Sequence, residues 1–169
     1  MKLQIGSSIS HGIYKEKEWV NLDIANVRGV NVQANASALP FSGNSFAEIH
    51  CIHMLEHLTR DLHIPVLSEM ERVLEPGGVC YIEVPDFEQS IKRIQSGFDK
   101  GDMERVRVWT LSVYGKTERP GMAHHWGFHK RELQTKMIEA GFSLVEDVTD
   151  KFISNHHKME PVLLVKGTK

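Results

Sequence analysis

Residues 46–85, "FAEIHCIHMLEHLTRDLHIPVLSEMERVLEPGGVCYIEVP", contain two strand-like runs around one helix-like run. The first, residues 46–54, is mostly apolar, and the last, residues 79–85, is rich in β-formers between a glycine pair and a proline. Between them, apolar residues recur at helical spacing over residues 67–74, before a proline and two glycines. This pattern predicts a crossover helix between two central strands of a parallel sheet.

Strands are also predicted before this region, with short connections between them. Leu3 and Ile5 alternate in a first strand, and residues 19–25 and 30–34 predict a second and a short third. About a dozen residues separate the first strand from the second and fewer separate the second from the third, whereas a full helical crossover takes about ten to twelve. Reduced helices are therefore predicted on the N-terminal half. The thinly covered sheet face is predicted to be either a homo-oligomer interface or a loop-covered edge.

The C-terminal part repeats the helical pattern and then returns to strands. Residues 129–142 predict a helix with Gly141 at its C-terminal cap, and residues 142–148 and 161–167 predict a closing antiparallel pair. No repeat or low-complexity linker divides the chain. The fold class predicted is α/β, one layered domain with a mostly parallel sheet and a C-terminal antiparallel pair.

Composition narrows the class of partner. The 169 residues carry 20 basic and 22 acidic side chains, a formal net charge of -2. This balance gives no electrostatic footprint for nucleic acid or an anionic membrane, so a small, roughly neutral partner is predicted. Cys51 and Cys80 lie in apolar runs, no run approaches the roughly 20 residues of a membrane-spanning helix, and no charged-then-apolar leader precedes the first strand. We expect a soluble, cytoplasmic protein with free, buried thiols.

Three segments carry a family resemblance through their order and spacing: "LPFSGNSF" at residues 39–46, "LEHL" at 55–58 and "RVLEPGG" at 72–78. With "LQIGS" and "WVNLDI" before them and "HHWGFHKRELQTKMIEAGF" after them, the chain resembles the class I S-adenosylmethionine-dependent methyltransferases, in particular the small group related to the type 11 methyltransferases. The resemblance implies a Rossmann-like seven-stranded domain over residues 1–169. It also implies S-adenosylmethionine as the cofactor, across the carboxyl ends of the first strands.

The residues at these strand ends agree with that placement. Ligands of open α/β sheets bind beyond the carboxyl ends of strands near the switch point. Gly6 ends the first strand, where a residue without a side chain lets the backbone approach the cofactor's carboxylate. Asp23, at the end of the second strand, is predicted to accept from the ribose hydroxyls, or else to form a turn. Ser7 and Ser8 follow Gly6, and Ser8, where the family has a second glycine, is predicted either to bind that carboxylate or to obstruct it.

The adenine end departs from the family pattern. The resemblance implies an aspartate before the "LPF" segment that accepts from the adenine amino group, and the matching "QANASALPF" offers Asn35 and Ala36 before Leu39. The side-chain carbonyl of Asn35 can accept that bond but lacks the charge that strengthens it. Asn35, Ala36 and Leu39 are therefore predicted to contact the cofactor, with weaker binding. By itself, "LPFSGNSF" indicates only a proline-containing turn.

The stretch "HMLEH" offers a rival interpretation. His53, Glu56 and His57 match the H-x-x-E-H zinc pattern, in which two histidines share a helical face and a carboxylate acts as base. That pattern needs a helix through both histidines, whereas His53 closes an apolar strand. His53 is instead predicted to lie over the cofactor and to be a candidate base. His57 is predicted to begin a helix or to pack, and no metal site is predicted.

A second histidine cluster, "MAHHWGFHKREL", allows three interpretations. His129 or a neighbour caps the following helix while Trp126 packs, or the histidines bind a metal, although no cysteine or carboxylate stands at a diagnostic spacing. The third is an acceptor pocket in which His124 or His125 is a general base. Asp86, after the fifth strand, is predicted either to face that pocket as a base or orienting acceptor, or to cap the next helix.

Residues 87–123 are predicted to form a helical insertion over the acceptor side, where Arg105, Arg107 and Lys116 either meet an anionic substrate or are solvated surface charges. The predicted function is methyl transfer to a small-molecule acceptor. Relatives often accompany glycan biosynthesis, which suggests that the acceptor is saccharide-related. One alternative is a catalytically inactive binding or assembly module, favoured by the serine-rich loop, the absent helices and the missing acidic adenine contact. Another is a different reaction on the same cofactor, such as cleavage without an acceptor.

Overall fold

The computed structural model describes residues 1–6, 14, 16–116, 121–151, 153–155, 158 and 160–169. Its strands are β1 Lys2–Ile5, β2 Trp19–Asp23, β3 Val32–Gln33, β4 Phe46–Ile52, β5 Leu74–Pro85, β6 Leu144–Asp147 and β7 Val162–Thr168. They form one seven-stranded sheet in the order β3-β2-β1-β4-β5-β7-β6. Neighbours from β3 to β5 pair in parallel, and β7 is antiparallel to both β5 and β6. The predicted α/β class and the closing antiparallel pair are confirmed.

The α-helices all follow β4: α1 His63–Val73, α2 Phe87–Lys100, α3 Met103–Tyr114 and α4 Lys130–Glu139. Short 3-10 helices cover Leu55–His57, Arg60–Leu62 and Thr149–Lys151. Residues 16–54 contain no helix, so the predicted reduction of helices on the N-terminal half is confirmed within the described part of the chain. None of the described helices combines the length and the hydropathy that crossing a bilayer requires.

The core lies between the central strands and α1. Leu3, Ile49 and Ile82 of β1, β4 and β5 are fully buried, and Leu67 and Met70 of α1 pack in the same apolar cluster. Because the apolar spacing of α1 matches the helical period, one of its faces covers the sheet while the other faces solvent. This packing fixes the strand ends at which the site is built.

Cys51 and Cys80 lie on the adjacent strands β4 and β5, and both thiols are free and fully buried. The backbone of Cys80 pairs with Ile49, two residues before Cys51, so the two side chains share one face of the sheet. Burial raises the pKa of both thiols, which keeps them out of the reactive thiolate form at neutral pH. The prediction of free, buried thiols is confirmed.

β5 begins earlier than the sequence predicts, at Leu74 rather than Val79. Leu74 pairs with Phe46, and after a register shift Val79 pairs with Glu48. The intervening residues form an irregularity in which Gly77 has a left-handed φ of 78°. The glycine pair that marks the end of α1 in the sequence therefore also shapes the start of this strand.

The "LPFSGNSF" segment is held by the last turns of α1. The Arg72 guanidinium donates to the carbonyls of Phe41 and Leu39 at 2.9 and 3.1 Å, and the Leu39 amide donates to the Glu69 carboxylate at 2.8 Å. The Asn44 amide donates to the Arg72 carbonyl at 3.2 Å. These contacts join "LPFSGNSF" to "RVLEPGG" and give a physical reason for their pairing in the sequence.

The segment after β5 forms the helices α2 and α3, which pack against each other. Asp86 caps α2 by accepting from the Gln89 amide at 3.0 Å. The buried hydroxyls of Ser90 and Ser112 lie 3.2 Å apart between the two helices. That this pair covers an acceptor remains a prediction.

Candidate active site

A cavity of about 390 Å³ opens at the carboxyl ends of β1, β2 and β4, where ligands of open α/β sheets bind. Its wall is mostly apolar, with a few polar side chains. It is lined by Ile5, Gly6, Leu22, Asp23, Ile24, Ala25, Ala34, Asn35, Ala36, His53, Met54, His57, Leu58, Gly121 and Met122. Of the predicted cofactor residues, Gly6, Asp23, Asn35, Ala36 and His53 therefore meet in one place.

Gly6 stands where β1 turns into the cavity wall. Its φ of 76° lies in the left-handed region, and its amide donates to the Leu22 carbonyl at 3.0 Å. A Cβ at this position would lie 2.6 Å from both Cβ and Cγ of Met54. Glycine is thus required both by the backbone and by the close approach of Met54, which also lines the cavity.

Asp23 ends β2 and lines the cavity. One carboxylate oxygen, Oδ1, accepts from the Ala25 amide at 2.8 Å, so the turn-forming role left open by the sequence is observed. A carboxylate has further lone pairs, so this turn does not exclude hydrogen bonds to ribose hydroxyls. The turn fixes the carboxylate at the cavity wall.

The predicted adenine contacts need correction. Asn35 lines the cavity, but its Oδ1 already accepts from both the amide and the hydroxyl of Ser37, each at 3.0 Å. That oxygen cannot accept freely from an adenine amino group. Ala36 lines the cavity, whereas Leu39 is buried in the core and absent from the cavity wall. The prediction for Leu39 is wrong because the Arg72 and Glu69 contacts turn that residue inward. Ser7 and Ser8 lie outside the described residues.

His53 turns the chain at the end of β4 with a φ of 49°, a value that residues other than glycine rarely adopt. Its imidazole lies 3.2, 3.5 and 3.8 Å from the carboxylates of Glu56, Glu83 and Glu160. Burial disfavours the charged form, but the hydrogen bonds to Glu56 and Glu83 outweigh it and raise the pKa of His53 to about 10. His53 is thus an imidazolium at neutral pH, a state that does not suit the predicted general base.

The loop with the second histidine cluster is fixed over the 3-10 helix after β4. The amides of His125 and Trp126 both donate to the Glu56 carbonyl, at 2.8 and 3.2 Å. Nδ1 of His57 lies 2.9 Å from the Ala123 carbonyl. "HMLEH" and "MAHHW" therefore form one structural unit, which brings Met122 to the cavity.

His124 packs against His57 in this unit. Their rings meet edge to face with centroids 4.9 Å apart, and Nδ1 of His124 lies 3.0 Å from the Ser112 carbonyl. Burial lowers the pKa of His124, which is therefore a neutral imidazole at neutral pH. The carboxyl of Glu56 is only 1% exposed. Burial opposes its ionisation, but the imidazoles of His53, His57 and His124 outweigh it and lower the pKa of Glu56.

Other predicted acceptor residues have structural contacts. His129 caps α4 by accepting from the Glu132 amide at 3.4 Å, and Trp126 donates to the Glu132 carboxylate at 3.0 Å while stacking near Arg60. These are the capping and packing roles that the sequence left open. Asp86 caps α2 and His125 is exposed, and neither lines the cavity.

The basic side chains assigned to an anionic substrate lie on the surface. Arg105, Arg107 and Lys116 are exposed and do not line the cavity. Solvated surface charge, the alternative weighed from the sequence, describes their position in the structure. A role toward an anionic acceptor is left as a prediction.

Sequence reasoning missed several wall residues. Met54 and Leu58 flank "LEH", and their i, i+4 spacing is a signal that both side chains share a face. Gly121 and Met122 carry no such signal. They reach the cavity only because backbone hydrogen bonds hold their loop against Glu56.

The comparisons with known proteins agree with the strand order and the cavity. Residues 10–82, which contain Asp23 and His53, match the family described as a methyltransferase domain. By this match and by its fold, the chain resembles the S-adenosylmethionine-dependent methyltransferases. No curated protein sequence matches the chain.

Solved structures show the same fold at low sequence identity. The chain superposes with a TM-score of 0.59 and 17% identity on a possible histamine N-methyltransferase from Thermotoga maritima, over 99% of this chain and 81% of the other. An S-adenosylmethionine-dependent methyltransferase from Archaeoglobus fulgidus superposes with a TM-score of 0.62 and 15% identity, over 99% of this chain and 85% of the other. The 1,6-didemethyltoxoflavin-N1-methyltransferase of Burkholderia thailandensis, solved with bound 1,6-didemethyltoxoflavin and S-adenosylhomocysteine, superposes with a TM-score of 0.61 and 13% identity, over 99% of this chain and 70% of the other.

The cavity suits the cofactor of this family. Its apolar wall, including Leu22 and Ala34, offers a surface for the adenine ring, and the Asp23 carboxylate offers an acceptor for ribose hydroxyls. The close fit of Gly6 against Met54 leaves backbone rather than a side chain at the amino-acid end. That these residues contact S-adenosylmethionine remains a prediction.

Proposed function

We propose that this protein is an S-adenosylmethionine-dependent methyltransferase that methylates an oxygen or nitrogen of a small polar acceptor, and that the acceptor is saccharide-related. The proposal rests on one observation: Gly6, Asp23, His57 and Met122 line one cavity at the carboxyl ends of the parallel strands. When bound, S-adenosylmethionine supplies a methyl group activated by its sulfonium, so the protein must chiefly align the reactants and exclude water.

On the cofactor side, the chain's own residues bind and orient. The Asp23 carboxylate, fixed by the Ala25 amide, would accept from ribose hydroxyls, and Gly6 would present its backbone to the amino-acid end. Met54 closes the cavity wall beside Gly6 and limits the access of water. The engaged oxygen of Asn35 leaves the adenine end without a free carboxamide oxygen, which favours modest affinity.

On the acceptor side, His57 is the imidazole of the cavity wall that can meet an acceptor. Its Nδ1 points to the Ala123 carbonyl, so in the neutral ring its Nε2 can accept from a hydroxyl or amine. The two nitrogens of His53 are directed at Glu56 and Glu83. An acceptor rich in hydroxyls can donate to Nε2 of His57, which supports the saccharide-related class. Residues 87–123 would cover this end.

The test is a product assay with methyl-labelled S-adenosylmethionine and an acceptor panel of sugars, sugar nucleotides, amines and carboxylic acids. We expect label transfer to a hydroxyl-rich member and equimolar S-adenosylhomocysteine. Transfer only to acids or to amines without sugar groups would overturn the acceptor class. Cofactor breakdown that is equal with and without acceptors would favour cleavage instead.

A second candidate, a module that binds the cofactor without transferring its methyl group, is favoured by the engagement of Asn35 with Ser37. It predicts that S-adenosylmethionine binds in calorimetry while the whole panel yields no methylated product. Failure of both S-adenosylmethionine and S-adenosylhomocysteine to bind at millimolar concentration would contradict both candidates.

A further inference from the structure

Two histidine motifs that lie far apart in the chain meet beside the cavity. Glu56 and His57 belong to the 3-10 helix after β4, and His124 belongs to the loop before α4. One potential ligand atom from each of these side chains lies within 4.8 Å of those from the other two. Each motif alone is an incomplete metal pattern, since the first lacks a helix through both histidines and the second lacks a carboxylate.

We propose that Glu56, His57 and His124 bind a divalent transition-metal ion of the Zn²⁺ class. Two imidazoles and one carboxylate are a ligand set that zinc accepts in proteins, with the remaining position open to water or substrate. Zinc holds such ligands at about 2.0–2.2 Å. Because the three side chains are already clustered, modest side-chain rotation brings them to one ion.

Both imidazoles have the tautomer that metal binding needs. Nδ1 of His57 donates to the Ala123 carbonyl at 2.9 Å, and Nδ1 of His124 donates to the Ser112 carbonyl at 3.0 Å. A carbonyl only accepts, so each Nδ1 carries a proton, and in the neutral ring the lone pair is then on Nε2. Metal-bound histidines have this support because a hydrogen bond from the far nitrogen fixes the ring and its tautomer. Here it is present in both rings.

The third ligand is a buried carboxylate with spare acceptor capacity. Glu56 is 1% exposed, and its Oε2 has no hydrogen-bond partner among the residues that the structure describes. Its Oε1 lies 3.2 Å from Nδ1 of His53. A buried carboxylate oxygen without a partner is unfavourable. A cation between His57 and His124 would supply that partner.

The surroundings favour a cation and a fixed geometry. The carboxyl groups of Glu56, Glu83 and Glu160 all lie within 3.8 Å of the His53 imidazole, so three carboxyl groups are gathered beside the proposed site. The amides of His125 and neighbouring Trp126 hold the Glu56 carbonyl. The two ligand-bearing segments are thus joined by backbone hydrogen bonds as well as by side chains.

The ion would also bind and orient the acceptor. This role rests on the proposed function, whereas the binding of the ion does not depend on it. His57 lines the cavity, so an open coordination position would face the acceptor end. A hydroxyl bound there becomes more acidic, which assists its methylation. The ion would then replace the Nε2 lone pair of His57 as the group that orients the acceptor.

Metal titration of the full-length protein tests the site. Protein freed of metal with a chelator is titrated with Zn²⁺ by calorimetry and with Co²⁺ by absorption spectroscopy. We expect one ion per chain at micromolar affinity or better, and visible Co²⁺ bands of low coordination number. His124→Ala and Glu56→Gln should each weaken binding at least about tenfold.

His125→Ala is the matched control, because this neighbouring histidine lies in the same loop with an exposed side chain. It should retain the wild-type affinity for Zn²⁺. Wild-type protein that fails to bind Zn²⁺ below millimolar concentration would overturn the proposal. So would equal affinities of His124→Ala and His125→Ala.

A measurement on the wild type avoids variants that fail to fold. X-ray absorption spectroscopy of the zinc-loaded protein should show two imidazole ligands together with oxygen ligands. Zinc with no imidazole or only one, or with sulfur ligands, would contradict the site. Neither experiment uses cofactor or acceptor, so a failed methylation assay leaves the metal site standing, and a failed metal titration leaves the transferase proposal standing.

Discussion

The guanidinium of Arg72 donates to both carboxylate oxygens of Glu69, at 2.7 and 2.9 Å. This bidentate pair also binds the backbone of Leu39 from both sides, through its amide and its carbonyl. Because the segment before Leu39 supplies Asn35 and Ala36 to the cavity wall, α1 anchors one side of the cofactor site.

Arg72→Lys should therefore loosen this anchor. Lysine cannot reproduce the planar fork, so we expect a loss of about 1–2 kcal/mol in the free energy of unfolding, limited by the partial exposure of the pair. Urea denaturation measures this loss, and calorimetry should show weaker S-adenosylhomocysteine binding. Arg105→Lys, on the exposed surface of α3, is the control, and equal effects of the two substitutions would argue against the anchor.

Gly6→Ala should weaken cofactor binding at least about tenfold, because a Cβ would lie 2.6 Å from Met54 at the cavity wall. Gly77→Ala is a matched control, since Gly77 has a φ of 78° against 76° for Gly6 but no atom within 4 Å of the added Cβ. Both variants carry the left-handed strain of about 1 kcal/mol. We therefore expect the contact with Met54 to account for the difference in cofactor affinity between the two variants. Identical cofactor affinities would contradict this role of Met54.

Asp23→Asn separates the two roles of this residue. Asparagine keeps an oxygen for the Ala25 amide, so the turn and the melting temperature should be retained. The loss of charge should weaken S-adenosylhomocysteine binding by about 1 kcal/mol, roughly fivefold, in calorimetry. Asp23→Ala, which removes both roles, should lose affinity and also some stability. Unchanged affinity in both variants would remove the ribose assignment.

His63 should make stability fall in mild acid. It is fully buried on α1, where burial lowers its pKa despite the hydrogen bond to the Leu58 carbonyl, and Lys136, Glu132 and Asp61 are the charged groups nearby. The unfolded chain then binds the proton more tightly than the folded one. This contribution is complete above the unfolded pKa of about 6.5 and is lost as the pH falls from there toward the folded pKa.

The expected slope is at most about 1.4 kcal/mol per pH unit within that window. Urea denaturation at a series of pH values should give a steeper decline for wild type than for His63→Gln. His129→Gln, at an exposed helix cap, should follow the wild-type slope. Parallel curves for wild type and His63→Gln would exclude this residue as the cause.

Periodicity predicted the strands, α1 and α4, because alternating and helical apolar spacings match the faces that are buried. It also placed Gly6 and Asp23 correctly at strand ends. The cofactor contact that the family resemblance implied for Leu39 is not seen in the cavity wall, since the position of that residue depends on Arg72, which comes much later in the chain. The roles of Asp86 and His129 as caps were foreseen as alternatives that only hydrogen bonds could decide.

The cluster of Glu56, His57 and His124 could not be found from spacing. Its two parts are separated in the sequence by α1, β5, α2 and α3, and in the fold they meet through the hydrogen bonds on the Glu56 carbonyl and the contacts of His57 with Ala123 and His124. The charge state of His53 was also beyond the sequence. It follows from three carboxyl groups, of which only Glu56 is near it in the chain.

The two cysteines of the chain, Cys51 and Cys80, are both fully enclosed between strands and helices. The folded protein therefore presents no native thiol to a maleimide dye. The exposed Lys116 donates its backbone amide to the carbonyl of Met122, which lines the cavity. A cysteine introduced in place of Lys116 would therefore be the single site that the dye labels. A change in the fluorescence of that dye would then report the binding of cofactor, acceptor or metal ion.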